Sequence, residues 1–316
     1  MKKKIKKSLK IVFAGTTSFS EKYLKSLIKS NHKIMQTITK KEKIKKNFPS
    51  KIIYTSKKYS IPIIYNTNLK DKNIIKKIKK NNPDIMIIVA YGIKIPKEMI
   101  NIFPLKAINV HPSILPKWKG PAPIQRSILH GDKLTGISII LINNKFDSGK
   151  ILKKKTCKIS KKDTFKSLSK KLCNVGIKSM FLLLKNIFKK HKKYKKINKI
   201  KNNLYASKIN KIETKLNWKK TAKFLERSVR AFFPKPGTYF IYKKKRIKVT
   251  SSKEIILKKN YLHGEIVKIS KHGICVGTKK NCFLIKKIQF EGKNIINSLD
   301  IYNGYKNFFT IGSIIR

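Results

Sequence analysis

The sequence predicts a two-part α/β protein, a domain built on a largely parallel sheet followed by a small β-barrel. Three features carry that reading. From Leu9 to Asn143 short apolar runs alternate with helical patterns, the mark of a parallel sheet covered by helices. A stretch made mostly of Lys, with few apolar residues, then interrupts the chain as a solvated linker does. Beyond it come short alternating runs separated by Gly and Lys turns, which suit a barrel. With 316 residues the chain has room for two cores, since a single core stops growing near about 250–300 residues. The expected boundaries are 1–189 for the first domain, 190–207 for the linker and 208–316 for the second domain.

Residues 9–14 form the first expected strand. Gly15 turns it into a helix whose Phe19, Tyr23, Leu24, Leu27 and Ile28 share one face, with Ser18 or Ser20 placed to cap it and an end near Asn31. Further strands are expected at 33–38, 61–64, 84–90, 107–111 and 136–142, and several are apolar throughout, which implies burial on both faces. Gly15 stands without the G-x-G-x-x-G pattern, so no NAD site is expected. A long amphipathic helix is expected over 163–188, with Phe165, Leu168, Leu172, Val175, Phe181, Leu184 and Phe188 in its apolar stripe. In the second domain Thr221 is placed to cap a short helix carrying Leu225, Val229 and Phe232. Strands are expected there at 237–242, 246–250, 264–270 and 282–288. A barrel of the oligonucleotide-binding type would suit an RNA partner, although a fold alone assigns no function.

Lys and Arg total 78 against 14 Asp and Glu, a formal charge of +64. Such a balance permits a phosphate-rich partner. The excess is nearly all Lys and accompanies abundant Ile and Asn, and all three have A/T-rich codons, so compositional bias explains it equally well. The four cysteines, Cys157, Cys173, Cys275 and Cys282, form no C-x-x-C pair and no zinc-ligand spacing with His, which points to a reduced, metal-free protein. The basic N-terminus opens like a signal peptide, but its apolar stretch is short, holds Lys10 and lacks a cleavage region. No segment approaches the roughly 20 apolar residues that cross a bilayer, so a cytoplasmic location is expected.

The segment from Ile108 to Pro116 is the most informative. On a strand Asn109 and His111 face one side while Ile108 and Val110 face the other. Two polar groups thus emerge together at the C-terminal end of a strand, the edge where open α/β sheets bind ligands. Pro112 and Pro116 then force an irregular loop with exposed backbone groups, suited to a ligand that reads backbone. Asp147 follows another expected strand and is far enough along the chain to stand beside His111. Spacing alone also allows a structural reading, with Asn109 capping a turn, His111 a satisfied core imidazole and Asp147 opening an Asx-turn before Gly149.

Asn109, His111, the stretch Ser113-Ile114-Leu115-Pro116, and Asp147 in Phe-Asp-Ser-Gly resemble the signature of the 10-formyltetrahydrofolate-dependent formyltransferases. Phe13-Ala14-Gly15-Thr16, Val89-Ala90-Tyr91-Gly92, the run from Trp118 to Arg126, and Arg230-Ala231-Phe232 resemble the methionyl-tRNA branch of that family. The resemblance implies a Rossmann-like formyltransferase domain followed by a small C-terminal OB-like β-barrel that helps hold tRNA. It further implies that Asn109, His111 and Asp147 are the catalytic trio and that Ser113, Ile114, Leu115 and Pro116 line the tetrahydrofolate site. The implied donor is 10-formyltetrahydrofolate, with no metal. The implied acceptor is the free amino group of methionine on initiator tRNA, for translation initiation, and a monomer is implied as well. Pro112 stands where the family has Gly, and Ile114 where it has Leu. The region 40–49 is shortened relative to a basic loop with which the family grips the acceptor end of tRNA, and it holds Lys but no Arg.

The chemistry so implied is acyl transfer: a neutral amine attacks the formyl carbon, an oxyanion develops and the folate nitrogen leaves. An α-amino group of pKa about 7.7–8.0, lowered further by esterification to tRNA, needs no strong base. Asn109 and His111 are expected to donate to the oxyanion, and Asp147 to orient His111 and to accept the amine's proton through water. Another folate-dependent formyltransferase, acting on a nucleotide sugar or a purine precursor, is the alternative enzyme. Gln125-Arg126 and the basic second domain argue against it. A catalytically dead RNA-binding protein is the alternative outside enzymes, and the presence of all three chemical residues opposes it.

Overall fold

The computed structural model describes residues 8–41, 50–65, 69–143, 146–187, 204–257, 261–305 and 307–316. Phe188, most of the expected linker and most of the short basic region 40–49 lie outside the described residues. The chain divides into two compact units. The first takes in the residues up to Pro123 together with Leu134–Lys158 and Ser169–Ala206, and the second Ile124–Lys133, Ile159–Leu168 and Ser207–Arg316.

Strands and helices alternate through the first part of the chain. In order they are β1 (Lys10–Gly15), α1 (Ser18–Ile28), β2 (Lys33–Thr39), α2 (Lys51–Lys58), β3 (Ile63–Tyr65), α3 (Lys72–Lys80), β4 (Ile85–Val89), α4 (Lys97–Asn101), β5 (Ala107–His111), α5 (Pro123–His130), β6 (Leu134–Leu141), β7 (Ile151–Lys158) and α6 (Phe165–Lys185). The sheet order is β3-β2-β1-β4-β5-β6-β7. Its first five strands are parallel, whereas β6 is antiparallel to both its neighbours, β5 and β7. The order reverses between β1 and β4, as in doubly wound folds. Both strands are central and apolar. All five residues of β4 are buried, and each large apolar side chain so placed contributes about 1.5–3 kcal/mol relative to exposure.

Two details differ from the sequence reading. The cap of α1 is Thr17 rather than Ser18 or Ser20. Thr17 Oγ1 accepts from the Ser20 N–H at 3.3 Å while Ser20 Oγ accepts from the Thr17 N–H at 2.8 Å, a reciprocal capping box. β7 had no expected counterpart, because Lys153-Lys154-Lys155 shows no apolar alternation. It is an edge strand, largely exposed, and edge strands carry Lys to block further pairing. On α6, Leu168, Leu172 and Leu184 are buried as expected, and Cys173, Met180 and Leu183 join them.

The second unit holds α7 (Ala222–Phe232), then β8 (Thr238–Tyr242), β9 (Lys245–Ile255), β10 (Ile266–Ser270), β11 (Gly273–Gly277), β12 (Cys282–Phe290), β13 (Ile295–Asn297) and α8 (Ser298–Gly304). Thr221 caps α7 through the Phe224 N–H, and Leu225, Val229 and Phe232 are buried, as the sequence predicts. The antiparallel order is β10-β11-β12-β9-β8, with β13 on β12. The C-terminal residues join its two edges. Ser313 and Ile315 bond to Ile266 and Gly264 beside β10, and Arg316 exchanges two bonds with Ile241 on β8. The sheet is thereby closed into a barrel around Trp218, Phe240, Ile247, Val276, Phe283 and Ile285. Two arginines of the motifs act within this unit. Arg126 holds the Glu213 carboxylate and the Ser207 carbonyl, and Arg230 holds Glu226 and the Asp163 carbonyl.

Candidate active site

β5 carries Asn109 and His111 to one face, opposite Ile140 and Ser138 of β6. Pro112 then ends the strand, because it has no N–H for the ladder. β6 is antiparallel and leads away from His111, so the loop between β6 and β7 has to carry Asp147 back. Asp147 takes a left-handed backbone, φ +48°, which an Asp tolerates better than most residues. Gly149 lies so close to the Leu141 carbonyl that an added methyl group would overlap it, so this return turn requires glycine.

The three side chains converge. Asn109 Nδ2 donates to Asp147 Oδ1 at 3.2 Å, and His111 Nδ1 stands 3.4 Å from the same oxygen. Asp147 Oδ2 accepts the Gly120 N–H at 2.9 Å. His111 is buried, and its Nε2 lies 2.9 Å from the Trp118 carbonyl oxygen, to which it donates. Both ring nitrogens therefore face oxygens. Among the described residues no acceptor takes the second amide hydrogen of Asn109.

The Ser113–Pro116 loop is braced from below. Ser138 Oγ accepts the Leu115 N–H at 3.0 Å and donates to the Ser113 carbonyl at 2.8 Å, while Ser113 Oγ donates to the Lys117 carbonyl at 2.7 Å. Ser113 and Leu115 are fully buried. Among the described residues the Ile114 N–H and the Leu115 and Pro116 carbonyls have no partner, and of these residues Ile114 and Pro116 keep some exposure while Leu115 has none. A cavity of about 550 Å³ lies beside the opposite end of β5, lined by Lys106, Leu141, Ile142 and Asn143 among others, and none of the trio lines it. Three contributors escape sequence reasoning: Ser138, the Trp118 carbonyl and the Gly120 amide. Trp118 and Gly120 stand in a motif, but main-chain roles leave no mark on residue type.

Among the described residues no helix is long and apolar enough to cross a membrane, and no three His, Cys, Asp or Glu side chains are grouped as a metal site.

An amide, an imidazole and a carboxylate at the end of a parallel strand suit group transfer through an oxyanion. Residues 9–184 match the family model described as formyl transferase, and residues 208–306 match that of the formyl transferase C-terminal domain. A methionyl-tRNA formyltransferase of Buchnera aphidicola subsp. Acyrthosiphon pisum is 45% identical over 98% of this chain and 100% of its own length. One from Coxiella burnetii is 36% identical over 94% of this chain and 96% of its own. The chain belongs to the methionyl-tRNA formyltransferase family. Among solved structures, the sugar 3N-formyltransferase WlaRD aligns with TM-score 0.63 at 19% identity, covering 91% of this chain and 100% of that one. HypX from Aquifex aeolicus, solved with tetrahydrofolic acid, aligns with TM-score 0.64 at 16% identity, and this chain spans about half of it, 48%. At such identities the likeness is one of fold.

Proposed function

We propose that this chain moves the formyl group of 10-formyltetrahydrofolate onto the free amino group of methionyl initiator tRNA, with Asn109, His111 and Asp147 as catalytic residues. One observation carries the assignment. Two side chains two residues apart on β5 meet one carboxylate, at 3.2 and 3.4 Å, in a chain that matches methionyl-tRNA formyltransferases over almost its whole length.

The amine nitrogen attacks the formyl carbon and the carbonyl electron pair moves to oxygen. The C–N bond to the folate then breaks, and the folate nitrogen takes up a proton in place of the one the amine gives up. Formylmethionyl-tRNA and tetrahydrofolate result. Asn109 is the principal oxyanion donor in this reading, because its second amide hydrogen is uncommitted. His111 Nε2 already donates to the Trp118 carbonyl and reaches the oxyanion only by sharing that hydrogen. Asp147 orients both groups and, through water, receives the amine's proton.

The Ile114 N–H and the Pro116 carbonyl offer a donor and an acceptor to the edge of a pterin ring. The positive charge suits tRNA phosphates. The reading sets the enzyme in the cytoplasm, where charged initiator tRNA is used, acting as a single chain. The test is formylation of charged initiator tRNA with labelled 10-formyltetrahydrofolate. Transfer to an amino sugar nucleotide with none to methionyl-tRNA would refute the proposal.

A further inference from the structure

The loop that holds the catalytic side chains is itself held from its other side. The Trp118 carbonyl accepts from His111 Nε2, and the Gly120 amide donates to Asp147 Oδ2, so main-chain groups of 118–120 orient both side chains. Two further main-chain groups of this loop, and the Ala122 N–H just beyond it, are engaged by residues 204–206. The Trp118 N–H donates to the Leu204 carbonyl at 2.9 Å and the Ala206 N–H to the Lys119 carbonyl at 2.6 Å. The Ala122 N–H donates to the Ala206 carbonyl at 3.1 Å. Lys119 and Tyr205 form a parallel bridge, and all of these residues belong to the first unit.

The loop conformation requires such support. Trp118 has φ +62°, a region unfavourable for a bulky side chain, which persists only where the surroundings impose it. Gly120 has φ +111°, and a Cβ there would stand 2.8 Å from both the Ala206 carbonyl oxygen and the Tyr205 ring. The Tyr205 ring is thus packed on the residue whose amide holds Asp147, although the side chain is 64% exposed. That exposure gives it little part in a core.

We infer that residues 204–206 are a positioning strand for the catalytic groups, and that Tyr205 is its positioning side chain. The strand keeps the 118–120 loop in its left-handed turn and so fixes the carbonyl that orients His111 and the amide that orients Asp147. Its effect on turnover rests on the catalytic reading of that pair. Its effect on His111 geometry does not.

The full-length chain carrying Tyr205→Ala, Tyr205→Phe or Ala206→Pro tests this. Proline removes the N–H that bonds to Lys119. Small misplacements of catalytic groups cost up to about a hundredfold in rate. On that scale kcat should fall roughly tenfold in Tyr205→Ala and further in Ala206→Pro, with KM for both substrates unchanged, while Tyr205→Phe stays near the parent. The imidazole ¹⁵N resonances of His111 should shift in Tyr205→Ala at an unchanged melting temperature. If Ala206→Pro does not fold, the two Tyr205 variants decide. Parental kcat with unmoved His111 resonances would overturn the inference. So would a loss confined to KM for methionyl-tRNA, which would make Tyr205 an RNA contact. An active His111→Ala variant would sink the catalytic reading alone, since the resonance shift still tests the strand.

Discussion

Replacing Asp147 with Asn removes a charge while keeping a shape. The carboxylate has three neighbours, the Asn109 amide and His111 Nδ1 at Oδ1 and the Gly120 N–H at Oδ2. An amide has one oxygen. With that oxygen toward Asn109 and His111, its NH₂ meets the Gly120 N–H. Turned the other way, its NH₂ meets the NH₂ of Asn109. Either orientation leaves at least one donor facing a donor in a site where the Asp147 side chain is only 10% exposed. An unsatisfied buried donor costs about 1–3 kcal/mol, and a hydrogen bond to a charged group is worth about 1.5–3 kcal/mol. A loss of about 2–3 kcal/mol in the transition state lowers kcat/KM roughly 30- to 160-fold. The backbone should tolerate the change, because Asn accepts φ +48° as readily as Asp. Steady-state formylation of methionyl-tRNA, paired with a thermal melt, reads both quantities. A parental rate would refute the reasoning. So would a loss accounted for by unfolded protein at the assay temperature, since Asp147 would then be a structural turn residue.

Asn109→Ala and His111→Ala should each lower turnover with tRNA affinity nearly intact, and Asn109→Ala, which removes the principal oxyanion donor, should cost about 2.7–4 kcal/mol. A filter-binding titration beside the rate assay checks both parts. Gly149→Ala should lower both the melting temperature and the rate, because the new methyl overlaps the Leu141 carbonyl and displaces the turn that returns Asp147 to the trio. A parental melt and rate would show that the turn relaxes freely. Lys243 and Lys244 occupy the two-residue hairpin turn between β8 and β9 at φ +44° and +60°, positions where Asn-Gly is preferred. The Lys243→Asn, Lys244→Gly double variant should stabilise the barrel by about 1 kcal/mol, read by denaturant titration, and a fall in stability would contradict the turn assignment.

The parallel strands were readable because burial on both faces leaves a one-dimensional record. A sequence such as Ile-Met-Ile-Ile-Val of β4 is tolerated in few other places. The same logic marked the face of α7 and its Thr221 cap. β7 and β13 escaped because an edge strand needs only backbone bonds, which Lys-rich or very short segments supply without apolar alternation, whereas β11, paired on both sides, escaped because only Ile274-Cys275-Val276 stand between its two glycines. The pairing of Asn109 with His111 on one side of a strand also follows from the period of two.

The sequence by itself determined the two-part α/β-then-barrel architecture, the strand that carries Asn109 and His111, and, through its motifs, the family. Only the tertiary structure decided the direction of β6, the left-handed turn that brings Asp147 back, and the commitment of His111 Nε2 to the Trp118 carbonyl. It also decided that residues 204–206 bond to the 118–122 loop and that residues 313–316 close the barrel. The physical reason is common to all of these. They are made by main-chain N–H and C=O groups, which every residue but proline carries alike, so their partners depend on where the chain returns in space and not on which side chains it bears.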